Sequence, residues 1–145
     1  MGKVFEIGIS NNKGGKIFNV ELIDAIQGKG LLKDRKFRDD NQKQCQITLI
    51  EIENINYFNN ISKTKIPAID FRRNIITESI RLNDLVGKEF YVGCVKLKAH
   101  DLCRPCKYLQ EKIKQKNFIK EFLLKGGLRC EILSSGKIYV GDVIS

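Results

Sequence analysis

Glu89-Phe90-Tyr91-Val92-Gly93-Cys94-Val95-Lys96-Leu97-Lys98-Ala99 carries alternating apolar residues and reads as one strand. Period two is the strand signature, because successive side chains leave a strand on opposite faces. Working outward, the same period recurs. Phe5, Ile7 and Ile9 share one face, and Phe18, Val20 and Leu22 share another in Lys16–Leu22. Asn11-Asn12-Lys13-Gly14-Gly15 between them is a hairpin-type turn, since Asn and Gly accept positive φ cheaply. Further strands are expected at Gln46–Leu49, Leu128–Leu133 and Lys137–Ile144. Ser134-Ser135-Gly136 is read as the turn joining the last two, and Gly141-Asp142 as an interruption of the final strand. Two regions read as helical: Glu51–Asn60, with Ile52, Ile55 and Phe58 three apart, and Lys107–Leu124, broken near Asn117 and ended by Lys125-Gly126-Gly127. Asn83–Gly87 reads as a turn or one helical turn. The expected fold class is mostly β with a few α-helices, at least six strands in a closed or partly closed β-barrel, because closure removes the exposed edges of a long antiparallel sheet.

The chain has 145 residues, the size of one domain, and residues 1–145 are read as a single unit. Its composition, 42% hydrophobic and 30% charged, excludes disorder and fibrous repeats. No run approaches the ~18 apolar residues of a membrane helix. Met1–Ser10 lacks the features of a signal peptide, and Glu6 stands where a myristoylation motif needs Ser or Thr. The expected location is cytoplasmic.

The net charge is +9, which favours an anionic partner. Eight basic residues against Glu111 and Glu121 fall between Leu102 and Arg129. Within that stretch, Cys103 and Cys106 form a CxxC with Arg104 and Lys107 around the second cysteine. Neighbouring positive charge lowers a thiol's pKa, and the thiolate is both nucleophile and metal ligand. Structural zinc would need four ligands, and His100 is the only histidine. A thioredoxin-type pair would need a βαβ context, and the run before the pair reads as a β-meander. Cys45, Cys94 and Cys130 sit among apolar residues and read as small buried hydrophobes. Phe71-Arg72-Arg73-Asn74 offers two guanidinium groups that can clamp a phosphate or pair with Asp70 or Glu78. Gly28-Lys29-Gly30, leading to Asp34-Arg35, is either an anion-approaching backbone or a plain surface loop.

The ordered set of these pieces resembles the MOSC domain, named for the C-terminal domain of molybdenum cofactor sulfurases. The carrying blocks are Gly28-x-Gly30-Leu31-x-x-Asp34-Arg35, Gln46–Ile50, Phe71–Ile75, Leu82–Gly87, Cys103-x-Pro105-Cys106, Gly126-Gly127-Leu128-Arg129 and Gly136–Asp142. Each is weak alone; their order and spacing are specific. The resemblance is to the small standalone members. It implies a β-barrel with a functional cysteine at the position of Cys106, as molybdenum ligand or sulfur carrier. It implies that Arg72 and Asn74, together with Arg35 and Arg104, contact an anionic pterin or its phosphate, the molybdenum-molybdopterin cofactor. Arg73 stands where some relatives have proline and receives no family role. Pyridoxal phosphate would belong only to a separate cysteine desulfurase that supplies sulfur. The leading expectation is therefore cofactor sulfur transfer or maturation. The alternative is a molybdenum-dependent reductase of N-hydroxylated compounds, drawing on a separate electron-donor protein. Nucleic-acid binding is the outside reading, since the aromatics are not interleaved with the basic residues as a stacking surface requires.

Overall fold

The computed structural model describes residues 2–11, 15–103 and 125–145. Cys106, Arg104 and the expected helical region Lys107–Leu124 lie outside the described residues. Eleven strands are described: β1 (Gly2–Ser10), β2 (Ile17–Asn19), β3 (Leu22–Ile26), β4 (Gly30–Leu31), β5 (Ile47–Glu51), β6 (Ile75–Glu78), β7 (Glu89–Val92), β8 (Val95–Leu102), β9 (Leu128–Ile132), β10 (Gly136–Tyr139) and β11 (Val143–Ile144). One α-helix is described among these residues, α1 (Ile52–Ser62), together with three short 3-10 turns.

Seven strands run β11-β7-β8-β9-β5-β6-β1, and β11 pairs back onto β1 (Gly2↔Ile144, Lys3↔Val143). The protein is thus mostly β and contains a closed seven-stranded barrel. A second sheet of order β10-β3-β4 stands beside it. Its Ile23, Ala25, Leu31 and Ile138 join the same apolar core as Ile7, Leu49 and Leu97 of the barrel.

β5 and β6 form the parallel pair of the barrel, with α1 between them in sequence. A parallel pair needs such a crossover, and the crossover covers the outer face. Hence both faces of β5 are buried: Leu49 faces the barrel interior, while Ile50 packs with Ile55 and Phe58 of α1. The helix matches its expected position. It ends on Lys63 in the left-handed region, and the Asn59 side chain binds the Ile66 N–H and carbonyl beyond it.

Three strand expectations are corrected. Glu89–Ala99 is a hairpin, not one strand: Val92 pairs with Val95 around Gly93-Cys94. Gly93 takes φ +60°, and any side chain there would collide with Asp142. A two-residue turn of this kind needs positive φ, which glycine supplies. Lys16–Leu22 breaks after Asn19, so that β2 pairs with β1 while β3 crosses to the small sheet. Ser134–Gly136 is a crossing, not a hairpin turn: β9 lies between β8 and β5, and β10 pairs with β3. The interruption at Gly141-Asp142 and the helical turn at Leu82–Leu85 match the sequence reading. Cys130 is buried, as expected. Cys94 is exposed because it occupies the hairpin turn, and Cys45 is partly exposed in a 3-10 turn.

Candidate functional site

Arg72-Arg73-Asn74 connects a 3-10 turn (Ala68–Phe71) to β6. Arg72 has φ 62°, and its N–H closes the turn on the Ile69 carbonyl at 2.9 Å. That bend sends the two arginines to different neighbours. Arg72 is only 8% exposed, and its Nη1 donates to the Gly15 carbonyl at 2.8 Å. Its Nη2 is buried without a hydrogen-bond partner among the described residues. Arg72 also lines a cavity of about 400 Å³ with Gly15, Lys16, Ile17, Ile69 and Asp70. A buried guanidinium nitrogen with nothing to donate to is costly, and an anion is what would satisfy it.

Arg73 donates instead from Nε to the Gly126 carbonyl at 2.9 Å. Gly126 sits so close to the Cys103 carbonyl that a Cβ there would lie 2.6 Å from that oxygen. Cys103 directly follows β8, and its N–H donates to the Gly127 carbonyl at 2.7 Å. Its sulfur is buried. Burial pushes the thiol pKa up, against the opposing pull of Arg73, Lys36 and Arg129. Cys103 is therefore held as the neutral thiol.

Asn74 is buried, and its side chain is committed to the scaffold. Oδ1 accepts from the Thr48 N–H at 3.1 Å and is 3.2 Å from the Thr48 hydroxyl; Nδ2 donates to the Gly8 carbonyl at 3.1 Å. Its backbone N–H donates to the Thr48 hydroxyl at 3.0 Å. One residue thus ties the end of β1 to β5 beside the two arginines.

Asp34-Arg35 arrives at the same end of β1. Asp34 is buried and accepts from the Ser10 N–H at 3.0 Å and the Lys36 N–H at 3.4 Å, while the Arg35 N–H donates to the Ser10 carbonyl at 2.6 Å. Arg35 itself is half-buried. The next residue, Lys36, is half-buried too. Burial lowers its pKa first, and the positive charges of Arg35 and Arg73 lower it further. On the opposite flank, a bulge in β8 between Ala99 and Asp101 sets Asp101 against Arg129 of β9. Arg129 grips that carboxylate at two points, Nε to Oδ1 at 2.8 Å and Nη2 to Oδ2.

The structure thus brings Arg72 and Asn74 to the end of β1, with Asp34-Arg35 docked onto it. Sequence reasoning singled out Arg73 only as part of the two-arginine block and gave it no family role, and it passed over Lys36; the positive charges of both, with Arg129, act on Cys103. The signal for Lys36 was adjacency, since it follows Asp34-Arg35. No group of three or more metal-ligating side chains gathers among the described residues.

The fold is shared with solved structures. YuaD from Bacillus subtilis superposes with a TM-score of 0.84 at 20% identity, covering 99% of this chain and 94% of that one. YiiM from Geobacillus stearothermophilus gives 0.78 at 16%, over 99% and 74%. YiiM from Escherichia coli gives 0.67 at 16%, over 99% and 67%. No curated protein matches the sequence. The model of the MOSC domain matches residues 32–145, a span holding the Arg72–Asn74 connection, Cys103 and every strand from β5 to β11. On that match the chain belongs to the MOSC domain family.

Proposed function

We propose that this protein binds the molybdenum cofactor, an anionic pterin, and acts through Cys106 in sulfur transfer to the cofactor or in its maturation. The observation that carries the reading is Arg72: a buried guanidinium with an unsatisfied Nη2, on a residue that lines an open cavity. That fits a group with a phosphate and polar ring edges, since guanidinium donors match both. Arg72 would hold the anionic ligand, with Arg35 and Arg104 adding positive charge. Asn74, which the resemblance assigns to the pterin, would keep the arginine connection fixed on β1 and β5. When bound, the group supplies a metal centre whose sulfur ligation a thiolate can complete or exchange. Cys106 is the thiol assigned to that role, and the sulfur would come from a separate cysteine desulfurase in the cytoplasm.

The test is cofactor retention. The protein is purified from cells that make the cofactor, and molybdenum and oxidised-pterin fluorescence are measured per chain. Near-stoichiometric values that fall in Arg72→Gln and Cys106→Ser support the proposal. Protein free of both molybdenum and pterin overturns it. Reduction of 6-hydroxylaminopurine with an artificial electron donor, lost in Cys106→Ser, would replace sulfur transfer by the reductase reading.

A further inference from the structure

The cavity beside Arg72 is lined in a pattern that limits what can enter it. Ile17 and Ile69 form one apolar side: a Cβ built on Gly8 would meet the Cγ2 atoms of both, at 3.8 and 3.7 Å. Their sequence neighbours Lys16 and Asp70, with Arg72, supply the charged lining. Arg72 has spent Nη1 on the Gly15 carbonyl, so Nη2 is the buried donor left over. The Lys16 ammonium lies over the Phe18 ring, 5.6 Å from its centroid. The Asp70 carboxylate is exposed and makes no hydrogen bond or ion pair with any described residue, Arg72 included. A carboxylate in the lining repels a phosphate dianion. A group that only accepts, set beside a group that only donates, instead matches a ligand edge that carries an acceptor next to donors.

We infer that the Arg72 cavity receives the amino-pyrimidinone edge of a flat heterocycle, the edge that pterins and guanine share, with the ring lying against Ile17 and Ile69. Along that edge a ring carbonyl stands beside a ring N–H and an exocyclic amino group. Arg72 Nη2 would donate to the carbonyl, and the Asp70 carboxylate would accept from the two nitrogens. The cavity, about 400 Å³, has the volume of a small-molecule site, roughly 300–1,000 Å³. The preference for this edge follows from the lining side chains alone. That the heterocycle is the cofactor's pterin rests on the function proposed above; on that reading the ring enters the cavity and the phosphate stays outside it.

The probes are 6-hydroxymethylpterin, guanosine, inorganic phosphate and lumazine, which carries a second carbonyl where pterin has its amino group. Each is titrated into the full-length protein at neutral pH, the two pteridines by their fluorescence and the others by competition with the pterin. Saturable pterin binding is expected, with lumazine about tenfold weaker. Asp70→Ala should weaken pterin about tenfold, the worth of one charge-assisted hydrogen bond, and leave lumazine unchanged. Asp70→Glu should recover part of the loss. Asp70 is exposed, so neither variant disturbs the core. Asp40→Ala removes an exposed carboxylate outside the cavity lining and should change nothing. Lumazine bound as well as pterin, or pterin affinity untouched by Asp70→Ala, overturns the inference. So does phosphate that displaces the pterin, because the cavity would then take the anionic end. Guanosine that displaces the pterin supports recognition of the shared edge; guanosine bound more tightly than pterin keeps the edge and overturns its assignment to the cofactor. Asp70→Ala that keeps molybdenum and pterin through dialysis as well as the parent protein also overturns that assignment, while the proposed function stands. A protein that binds free pterin through Asp70 and is always purified without molybdenum or pterin sinks the proposed function and leaves the edge site standing.

Discussion

At the residue scale, Asn74 has the most concentrated duty. Replacing it with alanine leaves the Thr48 N–H and the Gly8 carbonyl without their buried partner. Each such orphan costs about 1–3 kcal/mol, so Asn74→Ala should lose about 2–4 kcal/mol in denaturant unfolding. The cysteines separate by environment. Cys94 should alkylate readily in the folded protein, and Cys103 and Cys130 only on unfolding, because burial raises both thiols. Iodoacetamide labelling read by peptide mass would check this order; on the proposed function Cys106 labels faster than Cys94. The same two shifts set an alkaline limit. Unfolded thiols ionise near 9.0 while the folded ones do not, so this contribution is complete below pH 9.0 and declines as pH rises toward the folded values. Cys103→Ala/Cys130→Ala should flatten that decline, measured against its own stability at pH 7. The Arg-Arg-Asn block was visible in the sequence, but not which arginine goes where: that follows from the left-handed φ at Arg72, set by closure of a 3-10 turn, which no composition rule encodes.

At the element scale, α1 shows what periodicity can and cannot convey. Its apolar spacing gave the helix, because Ile55 and Phe58 must share a face to reach Ile50 and Ile76. Phe58 meets Phe71 edge to face, ring centroids 6.0 Å apart at 86°, so the helix also braces the turn that precedes Arg72. Phe58→Ala should therefore cost about 3–5 kcal/mol in chemical denaturation and loosen amide exchange at Phe71–Arg73. Loss of stability without change at that turn would break the link. The strands were less legible for a definite reason. The alternation changes phase at Gly93-Cys94, from Phe90 and Val92 to Val95, Leu97 and Ala99, but the unbroken apolar run Phe90–Val92 and the small residues after it blur that break along the chain. Pairing partners are equally silent: β9 and β10 are adjacent in sequence but belong to different sheets, and only long-range packing decides that.

At the scale of the whole molecule, closure of the barrel positions the site. β1 lies between β6 and β11 and carries β2 at its far end, so the strand whose Gly8–Ser10 end receives Asn74 and Asp34 also closes the barrel at its Gly2–Lys3 end. That seam has two residue pairs, extended by the backbone bonds of Val4 to Gly141 and Asp142, and its one fully buried side chain is Ile144, 1% exposed. Ile144→Ala removes buried volume at that seam. A loss of about 2–5 kcal/mol is expected for such a truncation. Its signature should be spatial as well as energetic. Because Ile144 also pairs with Val92, native-state hydrogen exchange should accelerate together in β1 and β7, strands about 80 residues apart in sequence, while β5 and β6 under α1 keep their protection. Acceleration confined to β7 would mean that β1 is held by β6 alone, and that the ring need not be closed for the Asn74 and Asp34 contacts to form.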